Sequence, residues 1–82
     1  MQLEILTPGK NVFSGEVNLV KVPGSKGSFE VLKNHAALIS TLTSGELKVE
    51  TESGETLRYQ ISGGTVEVKN NHIVVLAESL TE

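Results

Sequence analysis

The chain has 82 residues, 38% of them hydrophobic, with 7 basic against 10 acidic side chains and a formal net charge of −3; that length holds one domain, residues 1–82, with a modest core. The absence of cysteine excludes disulfides, thiolate metal sites and thiol catalysis, and the scattered lysines form no basic patch for nucleic acid. Phe13, Phe29 and Tyr59 are the whole aromatic complement, too little for a stacking platform, and no apolar run approaches the roughly 20 residues of a membrane-spanning helix.

In chain order, the dominant signal is alternation with a period of two, which is the mark of strands. Leu3 and Ile5 share a face, and Thr7-Pro8-Gly9 is a turn. Val12 to Ser14 reads as a short edge strand and Val17 to Val22 as a separate run closed by Pro23-Gly24. Ser28 to Leu32 and Leu38 to Leu42 follow, the latter closed by Ser44-Gly45. Leu47, Val49 and Thr51 then alternate with Glu46, Lys48, Glu50 and Glu52. Ser53-Gly54 is a hairpin signal, after which Leu57, Tyr59 and Ile61 alternate with Arg58, Gln60 and Ser62. Val66 and Val68 alternate with Glu67 and Lys69, and Asn70-Asn71 tolerates the positive φ of a tight turn. The continuously apolar run Ile73 to Ala77 predicts a strand buried on both faces. No stretch carries a helical stripe. Roughly seven or eight short strands separated by turns predict an all-β antiparallel sandwich or flattened barrel.

Chemistry is hard to place on this pattern. His72 falls at a hairpin end, as a solvated turn residue would. His35, in Lys33-Asn34-His35-Ala36, suits a loop cap or a partner contact; with no aspartate in the chain to orient it and no serine in a nucleophile elbow, a hydrolase is disfavoured. Glu46, Glu50, Glu52 and Glu67 occupy the polar parity of strands and read as solvated faces. Gly24-Ser25-Lys26-Gly27 lacks the spacing and the following helix of a phosphate loop, and Ser62-Gly63-Gly64 marks a bend or a close backbone approach. No catalytic residue, cofactor site or metal site is expected. The turn-dense stretch from Pro23 to Ala37, with Phe29, Val31 and Leu32 set between its turns, either folds back on the core or offers a partner an apolar contact.

Several short motifs occur in order: Phe13-Ser14-Gly15; Val22-Pro23-Gly24, Gly27, Phe29, Val31-Leu32, His35-Ala36 and Leu38; Leu42 with Gly45; Ile61-Ser62-Gly63-Gly64 followed by Val66-Glu67-Val68; and Val75-Leu76-Ala77. In this order and spacing the chain resembles the epsilon subunits of bacterial F-type ATP synthases, from Leu3 to about Glu78. The resemblance implies a β-sandwich, bringing the expected count to about eight to ten short strands. It also implies a non-catalytic central-stalk role, coupling rotation of the c-ring and the gamma subunit to ATP synthesis in a proton-translocating enzyme. The location implied is peripheral, at the cytoplasmic face of the bacterial inner membrane. Carried over by position, Ser25, Lys26, Gly27, Ser28 and Glu30 are expected at the c-ring, and Thr7, Pro8, His35, Ala36 and Leu38 at the gamma subunit. Departures from the family pattern at Ser28, Lys33-Asn34, Ala37 and Thr65 imply a less rigid loop and alter individual contacts. The chain stops at Glu82, where typical members continue into a helical hairpin. A naturally short form without that hairpin, without ATP binding and without hairpin-type inhibition is expected. The competing expectation is a stand-alone β-sandwich module that binds a small ligand.

Overall fold

A computed structural model describes residues 1–82, all of it strand and turn. The elements are β1 (Gln2–Thr7), β2 (Lys10–Val22), β3 (Phe29–Leu32), β4 (Leu38–Leu42), β5 (Gly45–Thr51), β6 (Thr56–Ile61), β7 (Gly64–Lys69), β8 (His72–Ala77) and β9 (Leu80–Thr81). Hydrogen bonding runs β4-β7-β8-β1-β2-β5-β6-β9, with β3 on the second half of β2. The order does not return on itself, so the sheet folds into two layers rather than closing as a barrel.

The strand that makes the two layers is β2. The separate runs expected at Val12–Ser14 and Val17–Val22 are one strand of 13 residues. Its first half pairs with β1 and its second half with β3 and β5. Two register shifts interrupt it, one opposite Ile5/Leu6 within the β1 pairing and one between Val17 and Leu19, where it passes from one layer to the other. An extra residue at such a bulge bends the strand and adds local twist. At the second bulge Asn18 stands outside the pairing, and its amide donates to the Thr51 carbonyl at 3.3 Å. Val17 and Val20, of opposite parity, therefore both face inward. A straight reading of alternation breaks at this point.

One pair departs from the antiparallel expectation. β1 and β8 run parallel, Leu3 beside Ile73 and Ile5 beside Val75, in the middle of the first layer. All four side chains are fully buried. Fully burying one such aliphatic side chain contributes about 1.5–3 kcal/mol, so this central pair is a main source of stability. The core continues through Val66 and Val68 of β7, and across the sandwich through Val20, Val22, Val31, Leu47, Val49 and Ile61. Tyr59 lies at the edge of that cluster; burial, with the Glu82 carboxylate adding to it, raises its phenol above the ordinary value of 10.0.

The turns follow their residues. Asn70 and Asn71 take φ of 52° and 58° between the paired Lys69 and His72, which is a type I′ turn. At the β5–β6 hairpin the loop is Glu52-Ser53-Gly54, with the Gly54 amide donating to the Thr51 carbonyl at 3.0 Å and Gly54 at φ 94°. One residue longer than Ser53-Gly54 alone suggests, it is a type I turn closed by a left-handed glycine. The Thr51 hydroxyl accepts from the Glu55 amide at 3.0 Å, which satisfies a nearly buried oxygen.

Candidate functional site

Two surfaces meet along β4. The first is the outer face of the layer β4-β7-β8-β1. Side chains of Leu3, Ile5, Val66, Val68, Ile73 and Val75 take the inward parity, so the alternate positions face out. Cross-strand pairing sets these in two rows. One row is Thr41–Thr65–Leu76–Leu6 and the next is Ile39–Glu67–Val74–Glu4. Ile39 is 75% exposed and Leu76 50%, while Leu6 and Val74 are half-buried. The run Ile73–Ala77 is thus not buried on both faces. Ile73, Val75 and Ala77 enter the core, and Val74 and Leu76 lie on an open face that they share with Leu6 and Ile39 and with the polar Thr41, Thr65, Glu67 and Glu4. An antiparallel sheet normally turns polar residues to water on this side. Leu6, Leu76 and Val74 adjoin one another across β1 and β8, with Ile39 set apart on β4, and exposed apolar side chains so grouped make this face a candidate interaction surface.

The second surface is the loop Gly24–Ser28. It does not hang free. The Ser25 amide donates to the Thr41 carbonyl at 3.0 Å, and the Ser25 and Thr41 hydroxyls are 2.8 Å apart. The Thr43 amide donates to the Pro23 carbonyl at 2.8 Å, and Gly24 bridges to Leu42. These bonds tie the loop to β4, the edge strand of the first layer. Gly24 is required by close packing: a Cβ there would stand 2.7 Å from the Gly27 carbonyl oxygen and 2.8 Å from the Phe29 ring. Phe29 packs on the core and Val31 is fully buried, so of the three apolar residues in this stretch only Leu32, half exposed, remains on the surface.

All five residues expected at the first contact, Ser25, Lys26, Gly27, Ser28 and Glu30, are exposed and cluster at this loop and the start of β3. The second expected set is split. Thr7 and Pro8 border the Leu6–Leu76 end of the sheet face, beside Thr41 and Thr65. His35 and Ala36 precede β4 near the opposite end of the strands, so the set occupies diagonal corners of one face. Leu38 turns inward, half-buried against the core, and its neighbour Ile39 takes the outward position. Ile39, Leu76, Leu6 and Val74 are surface residues that the sequence reading passed over. The signal was present: a strand apolar at both parities within a layer that has only one core face.

The loop before β4 is anchored where its departure from the family pattern implied slack. Asn34 adopts φ 65°, and its amide donates to Asn71 Oδ1 at 2.6 Å, while Asn71 Nδ2 donates to Asn34 Oδ1 at 2.9 Å. This reciprocal pair clasps the β3–β4 loop to the β7–β8 turn. His35 Nδ1 lies 2.8 Å from the Ala36 carbonyl. Asn71→Gly keeps the left-handed backbone and removes both bonds, at a cost of about 1 kcal/mol, whereas Asn34→Gly removes only the side-chain bond and leaves its backbone amide donating to Asn71 Oδ1. In urea unfolding, the double replacement should cost little more than Asn71→Gly alone, because the Asn71 side chain takes part in both bonds.

No group of three or more His and Glu side chains converges to hold a metal. His72 Nε2 lies 3.5 Å from Glu4 Oε2, a partly exposed contact on the outer face.

With this geometry in hand, likeness to known proteins becomes informative. Residues 1–82 match the family described as ATP synthase, Delta/Epsilon chain, beta-sandwich domain. The ATP synthase epsilon chain of Chlorobaculum tepidum is 42% identical over 79 residues, covering 96% of this chain and 90% of the relative. That of Desulforamulus reducens is 44% identical over 78 residues, but the match spans only 58% of the relative's length. Among solved structures, a chain of the Euglena gracilis mitochondrial ATP synthase, in an assembly of OSCP, F1 and c-ring, superposes with a TM-score of 0.90 at 25% identity. That match covers 96% of this chain and 51% of the other. A chain of the Tetrahymena thermophila central stalk and c-ring gives 0.82 at 21% identity, covering 100% and 66%, and supports the fold alone.

Proposed function

The chain belongs to the family of the ATP synthase delta/epsilon β-sandwich domain, and on that premise we propose that it is a non-catalytic central-stalk subunit of a proton-translocating F-type ATP synthase. In this role it joins the c-ring to the gamma subunit, so that rotation of one is rotation of the other. The observation that carries the reading is the meeting of an apolar sheet face and a hydrogen-bonded polar loop on one strand, β4. The sheet face, with Thr7-Pro8 and His35-Ala36 at its corners, is the gamma contact. Ser25, Lys26, Gly27, Ser28 and Glu30 are the contact with the polar loops of the c-ring.

Physical demands on such a part match what the sequence builds. A coupling element must pass torque without deforming, and a packed interior has little compressibility. The loop on the ring side is tied to β4 by the Ser25 amide and hydroxyl, so a force on it is delivered to the sheet face rather than absorbed. Obligate contacts of this kind bury large, fairly apolar areas, and the exposed Ile39 and Leu76 supply apolar surface for one. No helix is long and apolar enough to cross a membrane. We propose a peripheral place for the chain at the cytoplasmic face of the bacterial inner membrane, on the ground of its family membership, with gamma and the c-ring holding it there.

Two measurements test the assignment together. The purified chain should bind its cognate gamma subunit at micromolar concentration, and a cysteine replacing Ser28 should crosslink to a cysteine in the c-ring polar loop. Absence of gamma binding would sink the central-stalk reading. Crosslinking from the β5–β6 hairpin instead of the Ser28 loop would reverse the orientation.

A further inference from the structure

Glu67 stands in an unusual place. On β7 it lies between Ile39 of β4 and Val74 of β8, its cross-strand partners on the open face. Its strand neighbour on the same face is Thr65, which sits beside Leu76. It is exposed and forms no ion pair within the chain. The other acidic residue in its row, Glu4, has His72 within 3.5 Å. Lys69, two residues along β7, shares the face but makes no ion pair with Glu67 either.

In the free chain this carboxylate is hydrated and costs nothing. Docking changes that. A partner that covers Ile39 and Val74 must also cover the residue between them and strip its water. A carboxylate buried without a counter-charge costs several kcal/mol, enough to cancel the gain from the apolar contacts. We propose that the partner segment seated on this face presents a lysine or arginine to Glu67, flanked by apolar side chains that meet Ile39 on one side and Val74 and Leu76 on the other. Glu67 then fixes which surface can dock and in what register, because a neutral or acidic segment of equal apolarity is rejected by the uncompensated charge. The inference rests on the sheet face being the gamma contact and adds the chemistry of the surface that fits it.

The test titrates the full chain onto cognate F1 from which it has been removed, at about 50 and 300 mM salt, two levels of electrostatic screening. Glu67→Gln should weaken binding about thirty-fold at low salt and Glu67→Lys considerably more, since truncating one side of a desolvated charge pair costs at least about 2 kcal/mol. Raising the salt should weaken the parent chain more than Glu67→Gln. Leu76→Glu is the control for the face itself. If Leu76→Glu abolishes binding while Glu67→Gln binds as tightly as the parent, the face docks but no cation meets Glu67, and the proposal is overturned. If Leu76→Glu binds normally, the sheet-face reading fails first. Sedimentation of the isolated chain closes the remaining route: a dimer dissolved by Leu76→Glu would mean that a second copy covers this face, with its own Lys69 as the available cation, and would also overturn the proposal.

Discussion

Replacing Gly64 with alanine should cost on the order of 4 kcal/mol in urea denaturation, a large share of the chain's net stability. Gly64 opens β7 at φ 153°, a backbone conformation that an L side chain rarely adopts. Its cross-strand partner in the register is Ala77 of β8. A Cβ added at Gly64 would fall on the Leu76 carbonyl oxygen and lie 3.0 Å from the Ala77 Cα. These are backbone atoms of a strand held between β7 and β1, so they cannot step aside as a flexible side chain could. Relief would have to come from parting β7 and β8 at the end where Thr65 and Leu76 stand side by side on the open face. A domain of this length holds roughly 0.05–0.15 kcal/mol per residue of net stability, so one such clash consumes much of the total. If the variant melts within a few degrees of the parent, the close approach of the two strands is wrong.

Gly63-Gly64 was legible in the sequence as a bend or a close backbone approach, and the reason is general. A glycine pair between alternating runs has no side chain to pack and is kept only where one would not fit. The same clarity holds wherever a local rule acts alone. Asn70-Asn71 selects its turn, and Leu47 to Thr51 and Leu57 to Ile61 alternate because each strand has one wet face. Legibility ends where two distant segments decide the outcome. β1 and β8 pair in parallel across some seventy positions of chain, and nothing within either strand records the direction. β2 reads as two runs, Val12–Ser14 and Val17–Val22, and the parity shift at Asn18 falls unseen inside the second, because a bulge is set by the corner the strand must turn. Leu38 and Ile39 are equally apolar. Which of them enters the core is fixed by the register Leu38 to Val68 and Ile39 to Glu67, a property of the pair and not of β4. The clasp between Asn34 and Asn71 likewise joins residues whose separate turn preferences were plain and whose contact was not.

The same register yields the second large effect. Ile39→Glu combined with Leu76→Glu should weaken binding to the gamma-containing complex at least a hundred-fold while leaving thermal stability within a few degrees. Both side chains are exposed in the free chain, so removing them opens no cavity and deletes little burial. Docked, each would lie in the centre of the contact, where the few residues that dominate an interface cost about 2 kcal/mol or more when truncated, and a glutamate adds the cost of an uncompensated charge. The control is Leu32→Glu. Leu32 is as exposed as Leu76, but it belongs to β3, on the second layer. If apolarity alone drove association, Leu32→Glu would weaken binding as much as Leu76→Glu. If the face of β4-β7-β8-β1 is the gamma contact, Leu32→Glu should bind as the parent does. Ring coupling gives a further separation, because the Ser25–Thr41 bonds tie the loop to β4 without involving the side chain of Ile39. The double variant should therefore still crosslink from position 28 to an isolated c-ring after it has lost gamma, and a chain that loses both contacts at once would show that the two surfaces are one.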